Sequence, residues 1–318
     1  MQSIAFVLAY FGDLNATGYF PLFLRSCGQN PTVDFWLFTD DHTPYDYPHN
    51  VRVRYLTLPE VRARIQAVIP YPIILQVPMD LCSFQPAFGE VFAAELAPYD
   101  FWGHIDCDLI LGNVRHFVTE DILTRYDKIY SHGHMTLYLN TPAMNALYRT
   151  GETAQALSRY AFTAGELSCF DEWGRGGGIN GLCLRAGYPL YDAYDFDDID
   201  VTRRAFWPVQ LRRNEPYNAM AHLCYEKKGD QLLRHCLLYG ALYTAPVLYT
   251  HFQKRAMTCP PALWQAEAYL IVPDEFLPIQ PVDEAFLQRL RPDGLRWSYL
   301  VRRYRAAILR RLKRWERR

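Results

Sequence analysis

The chain has 318 residues, of which 50% are hydrophobic and 15% aromatic, a balance that excludes a disordered protein and can fill one large α/β domain or two small ones. Its net charge of −1 conceals an asymmetry: residues 296–318 carry ten Arg or Lys against Glu316 alone, which leaves 23 basic and 33 acidic residues before them. No run of about 18 apolar residues occurs, which excludes a membrane-spanning helix. The eight cysteines lack C-x-x-C or zinc-ribbon spacing, and Ile4–Leu8 is too short for a signal peptide, so the expectation is a cytoplasmic protein with reduced thiols used mainly as core filler.

In chain order, Ile4–Ala9 reads as a buried first strand, ending at Tyr10-Phe11-Gly12-Asp13. Helical spacing of Phe20, Phe23, Leu24 and Cys27 predicts a helix over Tyr19–Cys27, and Val33–Thr39 is a second strand that stops at Asp40-Asp41. Strand, helix, strand implies a parallel pair with a right-handed crossover. Val51–Leu56 reads as a strand, Glu60–Val68 and Gly89–Leu96 as helices, and Phe101–Ile105 as a central strand with Asp106-Cys107-Asp108 at its carboxyl end. Ligands of open α/β sheets gather at such ends, which places Tyr10, Asp40 and Asp106 on one rim. Beyond it come strands at Lys128–Ser131 and Met135–Leu139, helices at Met144–Arg149 and Ala154–Tyr160, a loop at Gly174–Gly178, and a hairpin of His222–Tyr225 with Gln231–Cys236.

Asp106 and Asp108 stand at i and i+2, where extended backbone presents both to one side. Such a pair can address a hard cation, Mn²⁺ or Mg²⁺, together with diphosphate oxygens. Turn chemistry also favours Asp after a strand. His251 closes the apolar run Ala245–Thr250 and is followed by Lys254 and Arg255, so an imidazole, an ammonium and a guanidinium fall within six residues. Imidazole suits a borderline cation, and the two cations suit a diphosphate. Asp171 and Glu172, in Ser168-Cys-Phe-Asp-Glu-Trp-Gly174, are the candidate catalytic carboxylates facing an acceptor hydroxyl, and Trp173 offers a surface for a sugar ring. Gly176-Gly-Gly-Ile-Asn-Gly181 matches G-x-G-x-x-G, but it follows a polar loop in mid-chain instead of a first strand, so it reads as a loop near the acceptor and not as a dinucleotide site.

The stretches Ala9-Tyr-Phe-Gly12, Phe38-Thr-Asp-Asp41, Tyr99–Ile110, Phe170-Asp-Glu-Trp-Gly174 and Thr250-His-Phe-Gln-Lys-Arg255 together resemble a bacterial, DUF6625-like family of GT-A-type glycosyltransferases associated with surface polysaccharide synthesis. The resemblance covers residues 3–257. It implies a GT-A-like nucleotide-diphospho-sugar transferase fold with a mixed central sheet and flanking helices, and a metal-bound nucleotide sugar. By that likeness Asp106 and Asp108 are the metal pair with Asp108 the direct ligand, His251 is a further ligand, and Tyr10, Phe11 and Asp40 border the nucleoside. The same likeness places a basic residue before Gly-His at residues 132–134, so His132 reads as a substitution with altered acceptor contacts.

The expected division is a glycosyltransferase domain over 1–260, an extension over 261–294 and a basic amphipathic helix over 295–318. Trp297, Leu300, Val301, Tyr304, Ile308, Leu309, Leu312 and Trp315 recur at helical spacing among arginines, a pattern suited to an anionic inner-membrane surface or to packing on the domain. No nucleic-acid module accompanies it. The expected function is metal-dependent transfer of a sugar from a nucleotide donor, with UDP the favoured nucleotide, to a glycan or lipid-linked glycan acceptor. Two rivals stand beside it. A sugar-nucleotide nucleotidyltransferase calls for a Gly-rich loop bearing Arg or Lys after the first strand, unlike Tyr10–Asn15. A non-catalytic nucleotide-binding scaffold would bind without turnover.

Overall fold

A computed structural model of the chain describes residues 1–165, 167–209, 220–301 and 303–305. The protein is a mixed α/β structure that divides into two compact units. Unit 1 comprises residues 1–16, 20–107 and 113–195, and unit 2 comprises residues 17–19, 108–112 and 196–318. The expected boundaries at 260 and 294 both fall within unit 2.

Unit 1 begins with β1 (Ile4–Ala9), α1 (Phe20–Gly28), β2 (Val33–Thr39), β3 (Val51–Tyr55), α2 (Leu58–Val68) and β4 (Phe101–Ile105). The chain then contributes β5 (Leu109–Leu111) to unit 2 and returns for β6 (Lys128–His132), β7 (Met135–Leu139), α3 (Glu152–Thr163), α4 (Gly178–Arg185) and β8 (Leu190–Tyr191). Strands of this unit form a seven-stranded mixed sheet in the order β3-β2-β1-β4-β7-β6-β8. β1, β2, β3 and β4 run parallel, with Ile4 opposite both Val33 and Phe101, and β7 runs antiparallel to β4. A central strand buried on both faces requires an unbroken apolar run, which is what Ile4–Leu8 supplies.

Strand order reverses between β1 and β4, so the carboxyl ends of these neighbours form the topological switch point where open α/β sheets take ligands. Side chains of Val7, Phe38, Phe92, Trp102, Tyr138 and Phe162 pack into one core cluster, each fully burying a large side chain worth about 1.5–3 kcal/mol or more. Helix α2 starts on a capping box, in which Thr57 accepts from the Glu60 amide and the Glu60 carboxylate accepts from the Thr57 amide. Buried Asn50 donates through Nδ2 to the carbonyls of Cys27, Asn30 and Val33, tying the end of α1 to the start of β2.

Two helical expectations change in detail. Gly89–Leu96 is two short helices, Phe88–Val91 and Ala93–Leu96, broken at Phe92. Met144–Arg149 is a turn of α-helix over Pro142–Asn145 followed by 3₁₀ structure over Leu147–Arg149, because Pro142 favours a helix start two residues earlier.

Unit 2 adds β9 (Asp197–Asp198), β10 (Met220–Lys228), β11 (Gln231–Leu238), β12 (Ala241–Pro246), β13 (Tyr249–His251), β14 (Ala268–Val272), β15 (Glu275–Pro278) and α5 (Glu284–Arg289). Five strands make an antiparallel sheet, β12-β11-β10-β14-β15, and three short ones make a second sheet, β5-β13-β9. The β10–β11 hairpin turns at Gly229-Asp230, where Gly229 supplies a φ of +54°. Cys224, Leu237, Leu270 and Val272 pack against Phe286 and Leu287 of α5. The chain is helical at 297–301 and 303–305; the rest of the expected basic helix lies outside the described residues. No helix among the described residues is long and apolar enough to cross a membrane.

Candidate functional site

In unit 2 the small sheet brings three strand ends together. His251, the last residue of β13, lies opposite Leu109 of β5 and Asp198 of β9. Asp108 therefore sits beside the imidazole as the residue entering β5. His251 Nδ1 lies 2.7 Å from Asp198 Oδ1, and Nε2 lies 3.4 Å from Asp108 Oδ1. Gln253 donates through Nε2 to both Asp198 oxygens at 2.9 Å, fixing the carboxylate that fixes the ring. Gln253 and Lys254 both adopt positive φ, a turn that aims the Lys254 amide at Asp108 Oδ2, 2.5 Å away.

Electrostatics follow from these contacts. Burial alone would raise the Asp108 pKa, but the adjoining imidazolium of His251, then Lys254, pull it down to about 2. Burial likewise opposes the charge on His251, yet Asp108 and Asp198 raise its pKa well above the usual histidine value. An imidazole braced by a carboxylate on one nitrogen becomes, with the second carboxylate, a donor set suited to a divalent cation once the other nitrogen gives up its proton to the incoming metal.

Apart from Arg255, unit 1 holds the remaining predicted residues. Tyr10 and Phe11 follow β1, Asp40 follows β2 and Asp106 follows β4, so all four lie at the carboxyl ends of three neighbouring parallel strands, β2-β1-β4. Tyr10 extends the β1–β2 ladder by donating its amide to the Phe38 carbonyl, and Asp40 is exposed and accepts the Gly12 amide at 2.7 Å. Phe11 is 6% exposed. Asp106 donates its amide to the His134 carbonyl, which pins the turn between β6 and β7 beside the end of β4.

That turn, His132-Gly133-His134, meets the loop carrying the predicted catalytic carboxylates. Glu172 Oε1 accepts the Gly133 amide at 2.7 Å, and a methyl group on Gly133 would lie 2.1 Å from Asp171 Oδ2. The rings of His132 and His134 stack at 5.3 Å. Burial, then Glu172 and Asp106, push the Asp171 pKa up to about 8 despite nearby Lys128, which favours a neutral carboxyl at pH 7. Trp173, in the same loop, is 48% exposed.

Two expectations are corrected. Arg255 does not meet a diphosphate: its side chain is fully buried, with Nε on Asp274 at 2.9 Å and its other nitrogens on the carbonyls of Arg203 and Arg204. Its guanidinium is spent bracing backbone, whereas its neighbour Lys254 is exposed. Gly174–Gly178 is not a loop throughout, since α4 begins at Gly178. A methyl group on Gly178 would stand 2.3 Å from the Glu172 carbonyl, so its missing side chain lets the helix start lie under the Asp171–Glu172 loop.

Sequence reasoning missed Asp198 and Gly133. The acidic run Asp195–Asp200 marked the region of Asp198, but a two-residue strand has no readable periodicity. For Gly133 the signal was a glycine between two histidines.

The chain matches a family of unknown function, DUF6625, over residues 6–280. The chain belongs to the DUF6625 family. The family's description assigns no activity, so the expected transferase chemistry stands as a proposal. No curated protein matches the chain.

Proposed function

We propose that this DUF6625 protein is a metal-dependent glycosyltransferase of GT-A-like fold that moves a sugar from a UDP-linked donor to a bacterial surface-glycan acceptor. The observation that carries the reading is the buried pair Asp108–His251 with Asp198 behind the imidazole. Asp108 and His251 would hold Mn²⁺ or Mg²⁺; Asp106 joins them in the proposal by its i, i+2 chain spacing. When bound, the cation supplies Lewis-acid neutralisation of the departing diphosphate.

The chain's own residues do the rest. Tyr10, Phe11 and Asp40 border the nucleoside at the β1–β4 switch point, a placement supported by the strand order. Lys254 offers an exposed ammonium to the diphosphate, where electrostatic stabilisation of the leaving group acts. In an inverting transfer, Asp171 accepts the acceptor's hydroxyl proton. A pKa near 8 makes it a strong base once ionised but leaves only a minor fraction ionised at pH 7. Glu172 holds the turn at Gly133 and is a positioning residue in this scheme.

The test is release of nucleoside diphosphate from a panel of nucleotide sugars by purified full-length protein, with and without Mn²⁺. Metal-dependent release with one donor, lost in Asp108→Asn, is expected. Nucleotide binding without metal-dependent release would replace the reading with the scaffold role, and neither binding nor release with any donor would overturn it.

A further inference from the structure

Outside the proposed donor site, unit 2 contains a cavity of about 610 Å³, within the size range of small-ligand sites. Arg204, Arg291 and Arg296 line it, and Asp274 is the one carboxylate among its described lining residues. Asp274 accepts from buried Arg255 at 2.8 and 2.9 Å, pairs with Arg291, and lies 3.9 Å from Arg296. Three guanidiniums, those of Arg255, Arg291 and Arg296, thus share a single carboxylate, and Arg204 lines the same cavity. Arg204 is exposed; its backbone groups bind Gly294 and Arg255, and its guanidinium has no ion pair among the described residues.

The charge imbalance acts on Arg255, although burial outweighs it. Burial lowers the Arg255 pKa; Asp274 opposes that, and Arg296 and Arg291 add repulsion of like sign. An anion entering the cavity would relieve it. Thr258 and Ser298 add hydroxyl donors to the lining, and the Trp297 indole, 63% exposed, stands among them. Planar guanidiniums with hydroxyl donors match the oxygens of a phosphate group.

We propose that this cavity binds a phosphate or diphosphate group without a metal, through Arg204, Arg291 and Arg296. Two sources share that chemistry: a soluble phosphate compound, or the headgroup of a lipid-linked diphosphate. The proposal uses none of Asp106, Asp108 or His251, so it and the transferase reading can fail separately.

Isothermal titration of full-length protein with inorganic pyrophosphate, in EDTA, tests it. Wild type is expected to bind, and Arg204→Gln to bind at least tenfold more weakly with an unchanged thermal midpoint. Arg204 is suited to the test because its structural bonds are made by backbone atoms alone. No binding by wild type, or equal binding by Arg204→Gln, would overturn the site and assign any uptake to other basic residues. Flotation with phosphatidylcholine vesicles, with and without polyprenyl diphosphate, separates the sources. Retention that needs both the diphosphate lipid and Arg204 identifies a lipid headgroup. Arg204-dependent pyrophosphate binding without such retention identifies a soluble ligand.

Discussion

Asp108 in unit 2 and Asp171 in unit 1 are both aspartates, 4% and 6% exposed, and their environments drive them in opposite directions. Burial raises the pKa of each. For Asp108 the imidazolium of His251 and the Lys254 ammonium and amide overcome it and bring the value to about 2. For Asp171 the next contribution, from Glu172, has the same sign as burial, and with Asp106 it carries the value to about 8 against a backbone hydrogen bond and Lys128. Depth in the protein therefore does not decide charge; the partners at hydrogen-bond range do. A carboxylate ionised at neutral pH suits cation binding, and one that holds its proton to about pH 8 suits proton transfer. Carboxyls pushed apart in this way mark out acid–base roles.

The largest expected effect comes from breaking the ionised side of this pair. Asp108→Asn leaves buried His251 without one of its two carboxylates. It should abolish metal-dependent turnover and lower stability by about 3 kcal/mol, the scale for a broken buried ion pair. Chemical denaturation and a donor-release assay on the same preparation measure both, and a variant with wild-type turnover would remove Asp108 from the site.

The pH dependence sharpens the contrast. Asp108 titrates below its unfolded value, so its stabilisation is complete above about 3.8 and is lost as pH falls toward 2. Asp171 titrates above its unfolded value, so the folded state holds a proton that the unfolded state has lost between about 3.8 and 8. Stability consequently declines as pH rises through that window, by at most ~1.4 kcal/mol per pH unit from this group. Asp171→Asn should flatten the decline, read as urea midpoints at pH 5 and pH 8; an unchanged slope would contradict the raised pKa. Transfer should also accelerate with pH up to about 8 in wild type, and the variant should lose that rise together with most of its rate.

Gly133→Ala tests the contact that positions Asp171. Its new methyl group would lie 2.1 Å from the carboxyl, so the Asp171–Glu172 loop must shift, at about 1–3 kcal/mol. Denaturation should register that loss, and the acceptor-dependent rate should fall more than donor affinity. Trp173→Ala should be the mildest change. The side chain is half exposed, so stability should stay within about 0.5 kcal/mol while the acceptor KM rises several-fold. Equal KM values would remove Trp173 as a sugar platform.

Legibility in the sequence tracked the two units. Ile4–Ala9, Val33–Thr39 and Phe101–Ile105 are strands at the predicted bounds, because buried parallel strands demand apolar runs with sharp polar ends. The rim formed by Tyr10, Asp40 and Asp106 followed from those strand ends. In unit 2, β5, β9 and β13 have three, two and three residues, too short to show a period, so nothing in the sequence paired Asp198 with His251. Arg255 was misread for a related reason. A basic pair in a turn looks solvated, and only the tertiary contact with Asp274 distinguishes the buried guanidinium from the exposed ammonium beside it.

Thermal stability with UDP and its sugar conjugates, in the presence and absence of Mn²⁺, tests the central claim most directly. Binding to the native state raises stability by about 2.7 kcal/mol at a hundredfold excess over Kd. The account predicts a rise with a uridine nucleotide that requires Mn²⁺ and disappears in Asp108→Asn. A rise that is independent of metal and of Asp108, or none with any nucleotide, would contradict it.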